Sequence, residues 1–407
     1  MFRAVTAVQL AALAARGGAR VLRDVLGDVP GWSMPYRAQL VAQPQQLSRM
    51  INAAALPACQ GPVNIRTVTV QDVPSVSSNC HNLVLSLEQA GAPVLPHSVF
   101  VKLPMESLAT HWFFSVINSW RLESHFFRHV APHVPLQTPV TYATAWQGSR
   151  FFLVQENLNA NDQVTLFTNP DMLQGPSQNQ IALCLDAFAQ LHAKHVHLSP
   201  AEREAILPLE YHLFLSPSMG LASRSLNALA LSPCMKKRPG RIPAEVAAAY
   251  EQSIEHWDAL LEHWFSGPLS LLHGDSHLGN FYQIGDEMGM LDWQAAHWGK
   301  GIRDVQYFLI DAVPASELAA QERDWVDYYV QRRAAHGAPL EREAAWQDYR
   351  SLTFHTLFTI VVSIGFGALN EEQDALMTEL LERAVAATQR VDYAGWLRDY
   401  LASHPNI

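Results

Sequence analysis

Cysteine is scarce in this chain and scattered where it occurs. Cys59, Cys80, Cys184 and Cys234 lie far apart and form no CxxC pair. That spacing excludes a disulfide framework as the organising device and makes free thiols in a reducing cytoplasm the expectation. Positive charge is also in short supply, with 28 Lys and Arg against 38 Asp and Glu and a formal net charge of −10. Binding to a nucleic-acid backbone needs clustered basic residues, so nucleic acid is not the expected partner. Long apolar runs are missing as well. The longest, Leu357 through Leu369 in LFTIVVSIGFGAL, falls short of the ~18–20 residues that cross a bilayer. It reads as a buried helix, and no membrane span is expected.

What the chain does have is size and one dense polar segment. At 407 residues and 49% hydrophobic it can bury a large core, divided between two lobes. The polar segment is Leu271 to Trp293, LLHGDSHLGNFYQIGDEMGMLDW. An apolar lead-in delivers His273-Gly274-Asp275, Asn280 follows, and a hairpin-like stretch returns Asp292. Phosphoryl transfer from a nucleotide needs one carboxylate to orient the attacking hydroxyl and two oxygen-bearing side chains to hold magnesium against the phosphates. Asp275, Asn280 and Asp292 supply that set from one loop and the hairpin behind it.

HGDSHLGN followed by LDWQ resembles the Brenner-type motif of the aminoglycoside phosphotransferase and choline kinase superfamily. More narrowly it is similar to bacterial phosphotransferases of the ecdysteroid kinase-like branch, over roughly Pro62 to Val391. Two positions depart from the pattern. Leu278 stands where many aminoglycoside enzymes have Pro, and Gln294 where many have a second acid after the metal-binding Asp. Gln294 leaves one metal ion or two open. The resemblance implies an α+β, protein kinase-like two-lobed fold: a small antiparallel β-sheet lobe with one helix, and a mainly helical second lobe. It implies ATP and Mg²⁺ as cofactors, and a small-molecule hydroxyl as phosphate acceptor. It also implies that Asp304, in Gly301-Ile-Arg-Asp-Val, braces the catalytic loop through hydrogen bonds.

Along the chain, residues 1–60 read as an N-terminal helical extension, 61–155 as the small lobe, and 156–407 as the helical lobe. The last carries a catalytic loop at 273–280 and a metal-binding segment at 291–294. The first 24 residues hold four arginines and no acid before Asp24. They fit a surface helix ending at Gly17-Gly18, or an organelle-targeting segment. An apolar N-terminal helix is compatible with a monomer or a homodimer. Five β-type runs follow: Val68 to Val70, Leu83 to Leu87, Ser98 to Leu103, Val140 to Ala145 and Phe151 to Val154. One helix is expected from about Thr110 to Val130. Pro217 to Pro243, with Lys236-Lys237-Arg238, reads as a flexible insert. Helical periodicity marks Gln178 to His195, Ala244 to Phe265, Ser316 to His336, Glu341 to Phe366 and Glu371 to Thr388.

The remaining parts of a nucleotide site are assigned by residue type. Lys102, inside the apolar strand SVFVKLP, is the expected phosphate-binding lysine, with Glu123 on the following helix as its partner. Ser77, Ser78 and Asn79 occupy the turn between the first two strands, where a glycine-rich loop would normally sit. That turn has no glycine, yet backbone N–H groups and Ser hydroxyls there fit phosphate binding. Glu156 follows the fifth strand, where the resemblance puts the lobe hinge and adenine recognition by backbone groups. His273 reads as a structural brace of its loop, and His277 as a substrate or metal contact or a packing residue. Phe354, Phe358, Ile360, Val361, Phe366 and Tyr328-Tyr329 would favour an apolar alcohol as acceptor if they lined the site. Two other readings use the same residues. One is a catalytically silent relative that binds nucleotide or a small molecule. The other is a metal-dependent hydrolase using His273, Asp275 and His277, which lacks a second cluster such as HExxH.

Overall fold

Alternation of apolar and polar residues builds the sheet. In CHNLVLSLEQ, Cys80, Leu83, Leu85 and Leu87 turn inward, and the residues between them are more open to solvent. A computed structural model describes residues 11–12, 14–15, 17–22, 37–72, 80–105, 107–208, 220–367 and 369–404. Strands β1 (Ile65–Asp72), β2 (Cys80–Gln89), β3 (Ser98–Pro104), β4 (Thr141–Gln147) and β5 (Arg150–Glu156) form one antiparallel sheet. Their order is β1-β2-β3-β5-β4, so β3 is central.

The chain separates into two compact units. The first comprises 1–134, 138–165 and 293–295. Its core holds Leu83, Leu85, Val99, Val101 and Val154 of the sheet together with Leu47, Ile51 and Ala54 of the helix Pro44–Ala54. Ser48 Oγ accepts from the Ile65 backbone N–H at 2.8 Å, and Asn52 exchanges two hydrogen bonds with Val63. The segment preceding the sheet is thus bonded into the same unit. The expected helix 110–130 is broken into Leu108–Val116, Ser119–His125 and a π turn at Phe126–Val130. Asn118 sits between the first two in the left-handed region (φ 56°), a conformation Asn tolerates better than most residues.

The second unit comprises 135–137, 166–292 and 296–407 and is mainly helical. Helix Gln178–His195 opens with a capping box, Ser177 with Gln180, and buries Ile181, Leu185, Phe188 and Leu191. The expected flexible insert at 217–243 is corrected: Gly220–Lys237 is an α-helix, despite Pro233 inside it. Its buried face includes Ser223 and Asn227 alongside Ala222, Ala230, Leu231 and Cys234, so polar residues interrupt the apolar stripe that would have revealed it. Gly365 lies against Ala230, where a Cβ would meet the Ala230 carbonyl oxygen at 2.7 Å. Lys237 Nζ then donates to the Ile364 and Gly367 carbonyls at the end of helix Arg342–Phe366. Strand Ser270–Leu272 pairs with His297–Gly299, and Phe281–Ile284 with Glu287–Met290. No helix among the described residues is long and apolar enough to cross a membrane.

Candidate active site

In the second unit, strand Ser270–Leu272 ends where Gly274 takes φ 84°, a conformation open mainly to glycine. The chain turns sharply there and presents Asp275. The Asn280 side-chain N–H donates to the Asp275 carbonyl at 2.7 Å, which assigns its amide oxygen as the remaining acceptor. Leu291 ties the loop to the hairpin: its N–H donates to the Asn280 carbonyl at 2.8 Å, and its carbonyl accepts from His273 Nε2 at 2.7 Å. Asp292 is the next residue, held in the left-handed region (φ 50°). Asp275, Asn280 and Asp292 are therefore brought together by a few short bonds through Leu291.

His273 is fully buried. Its Nε2–H donates to Leu291, while Nδ1 accepts from the Asp275 N–H at 3.3 Å. One nitrogen donates and the other accepts, so the ring is neutral, in accord with burial lowering its pKa. Asp304 lies beneath the turn and accepts from the His273 N–H at 2.7 Å and the Gly274 N–H at 2.9 Å. Its own carbonyl accepts from Ser276 Oγ at 3.0 Å. Burial opposes its charge, but the hydrogen bond from His192 and the neighbouring Arg303 guanidinium outweigh this. The carboxyl stays well below the usual range.

Sequence reasoning passed over four residues that the structure places here. Arg303 donates to the Gly274 carbonyl at 3.0 Å, and its Nε bonds His355 Nδ1 at 2.8 Å. His192 joins Asp304 to Tyr329. Tyr307 OH donates to Asp275 Oδ1 at 3.3 Å. Asp311 is buried, and its carboxyl interacts electrostatically with Asp275 and His277. Tyr307 and Asp311 lie three and seven residues after Asp304 on helix Ile302–Ala312, hence on one face. That spacing was the available signal. His277 Nε2 stands 3.9 Å from Asp275 Oδ2, beyond hydrogen-bond reach.

In the first unit, Lys102 and Glu123 meet as a buried ion pair at 2.9 Å, Lys102 on β3 and Glu123 on helix Ser119–His125. Gln294 Oε1 accepts from Ser119 at the start of that helix, 3.1 Å away, and Trp293 stacks on Phe126 at 4.1 Å. Glu156 Oε1 accepts from the Val140 N–H at 2.7 Å, so this carboxylate closes the end of the β4–β5 pair. Ser77, Ser78 and Asn79 lie outside the described residues. The condition under which the aromatic set would favour an apolar acceptor is not met by its buried members. Phe354, Phe358, Ile360, Val361 and Tyr329 are packed in the helical core, because Phe354 is enclosed by Tyr250, Trp257, Trp264 and Tyr393. Phe366, at the helix end, is half exposed. Among the described residues no three His, Cys, Asp or Glu side chains gather as a metal-ion cluster.

Residues 118–344, more than half of the chain, match the phosphotransferase enzyme family (APH). The chain belongs to that family. This phosphotransferase is similar in structure to a Ralstonia eutropha protein assigned as an aminoglycoside phosphotransferase. Identity is 14%, coverage 87% of this chain and 98% of the other, and the TM-score 0.52. It is also similar to a choline/ethanolamine kinase family protein from Mesorhizobium loti, at 13% identity, 88% and 98% coverage and a TM-score of 0.48. A third, the choline kinase LicA from Streptococcus pneumoniae, gives 10%, 83%, 94% and 0.46 respectively. No curated protein matches the sequence at a significant level. The phosphotransferase thus has the α+β kinase-like fold of an aminoglycoside phosphotransferase-type protein.

Proposed function

We propose that this phosphotransferase is an ATP-dependent kinase that moves the γ-phosphoryl group to a hydroxyl of a small molecule. The observation that carries this reading is the knot in which Leu291 binds Asn280 and His273, with Asp275 and Asp292 on either side. In this reading Asp275 accepts the hydroxyl proton or orients the hydroxyl, with Tyr307 fixing one carboxylate oxygen. Lys102, held by Glu123, binds nucleotide phosphates. Asp304, His273 and Arg303 hold the loop in place and touch no reactant. Ser77, Ser78 and Asn79 remain proposed phosphate contacts, and Glu156, whose carboxylate closes the β4–β5 strand end, would mark the hinge where backbone groups read adenine.

Asn280 and Asp292 would hold Mg²⁺. One amide oxygen and one carboxylate suit an ion that keeps several waters and takes its other ligands from phosphate. The same donor set, one amide and one carboxylate with no His/Cys/Asp/Glu triad gathered among the described residues, does not suit a hydrolytic zinc or iron site. Bound Mg²⁺ neutralises charge that develops on phosphate oxygens. The Gln294 oxygen is engaged by Ser119, which favours a single ion. An ATP-dependent reaction would place the protein in the cytoplasm.

The test is a panel of hydroxyl compounds screened for ATP consumption, with Asp275→Asn as control. At least one compound should raise ATP consumption in the native protein, and Asp275→Asn should lower that rate by about 10²–10⁴-fold. No consumption with any compound, or equal rates in the variant, would remove the kinase reading and favour the catalytically silent one.

A further inference from the structure

Helix Ile302–Ala312 presents three acidic or phenolic groups on one face: Asp304, Tyr307 and Asp311. The first two are accounted for, by the Gly274 turn and by Asp275. Asp311 is not. It is 2% exposed, and its Oδ2 has no hydrogen-bond partner among the described residues. A buried carboxylate oxygen left unpaired is uncommon and costly, because it has given up water and received nothing in return.

The nearest cation does not supply the missing bond. Arg383 interacts with Asp311 electrostatically, yet most of its N–H donors bond elsewhere. Its Nε binds Glu379, Nη1 binds the Met172 and Asp311 carbonyls, and Nη2 binds the Leu173 carbonyl. His277, the other group coupled to Asp311, is in the same condition: its Nδ1 is buried and unpartnered among the described residues. Both groups also interact with Asp275. Asp311 and His277 thus each carry a polar atom without a partner among the described residues, and each interacts with the residue proposed to orient the acceptor hydroxyl.

We infer that Asp311, with His277, binds a second hydrogen-bond donor of the acceptor, a hydroxyl or an ammonium group next to the hydroxyl that Asp275 orients. The inference rests on the proposed role of Asp275. Asp311 is thereby a specificity-determining residue: it selects acceptors with two neighbouring donors over plain alcohols. Burial, first among the causes, pushes its carboxyl up to about 6, as expected for a charge waiting for a partner. A donor arriving at Oδ2 satisfies it, and an ammonium would also relieve its repulsion from Asp275.

The experiment measures binding of three probes by ligand-observed NMR without nucleotide: cyclohexanol, its vicinal diol and its vicinal amino alcohol. The native protein should bind the diol or the amino alcohol about tenfold more tightly than cyclohexanol, the scale of one charge-assisted hydrogen bond. Asp311→Asn should erase the preference while its melting temperature stays level or rises. The stronger of the two donor probes tells hydroxyl from ammonium. No preference in the native protein, including no binding of any probe, overturns the inference. So does a preference that survives Asp311→Asn, or a variant that loses preference and melting temperature together, which marks a structural role. Probe preference without ATP consumption by any hydroxyl compound would break the kinase reading and leave the subsite standing. ATP consumption without probe preference would do the reverse.

Discussion

Asp304 and Asp311 are both buried, seven residues apart on one helix, and their surroundings drive them in opposite directions. Asp304 accepts two backbone N–H bonds and one from His192, so its charge is stabilised and its pKa falls below the ordinary 3.8. Such a group adds stability that is present above pH 4 and is lost as pH falls, because the unfolded chain takes the proton first. Asp304→Asn should cost on the order of 3 kcal/mol at neutral pH, since Arg303 loses its counter-charge and an amide N–H faces backbone donors. Urea unfolding of the variant would show it, together with a fall in turnover. Asp311 behaves inversely, with His277, Arg383 and Asp275 as the titratable groups around it. Its pKa rises from 3.8 to about 6, so its contribution is fully present below about pH 4 and is lost as pH rises through 6. Asp311→Asn should therefore gain on the native protein between pH 4 and pH 7, by at most about 3 kcal/mol. A pair of unfolding curves at those two pH values checks the sign.

At the level of elements, the turn after strand Ser270–Leu272 controls where Asp275 goes. Gly274 has φ 84°, which costs a residue with a Cβ about 1–2 kcal/mol. Gly274→Ala should melt only a few degrees lower yet lose most turnover, because the bonds from His273 and Gly274 to Asp304 would shift together. A circular dichroism melt beside an ATP-consumption assay separates the two effects. Elements of this kind differ in how plainly the sequence announces them. The strands were legible because β-branched and apolar runs such as Leu83 to Leu87 of β2 and Ser98 to Leu103 of β3 stand between turn formers. Helix Gln178–His195 was legible because its apolar stripe is unbroken and Ser177 caps it. Helix Gly220–Lys237 was not, because Ser223 and Asn227 fill buried positions and Pro233 reads as a breaker. The split between Leu108–Val116 and Ser119–His125 was hidden for another reason. It depends on one backbone angle at Asn118, and the apolar pattern runs through it. In the site, the Lys102–Glu123 pair could be anticipated because a lysine in an apolar strand needs a partner. Asp311 was missed although its helical spacing from Asp304 was there to read, because YFLIDAV by itself does not tell a buried carboxylate from an exposed one.

For the whole molecule, two compact units with their own cores make two unfolding transitions the expectation on heating. Nucleotide binding then tests how the proposed roles divide between the units. The proposed phosphate-holding pair, Lys102 and Glu123, belongs to the first unit, whereas Asp275, Asn280 and Asp292 belong to the second. A ligand stabilises only what it binds, by about 2.7 kcal/mol at a hundredfold excess over Kd. Roughly 2–4 °C follows for each kcal/mol in a domain of about 150–250 residues. If one Mg-ATP uses residues of both units, calorimetry should show both transitions moving upward by a few degrees. Lys102→Met and Asp292→Asn should each cancel the shift in both, whereas Asp275→Asn should preserve it while abolishing turnover. A shift confined to the transition of one unit, with the variant in the other unit without effect, would mean that nucleotide is held by that unit alone. The proposed division of labour would then fail even if ATP were consumed.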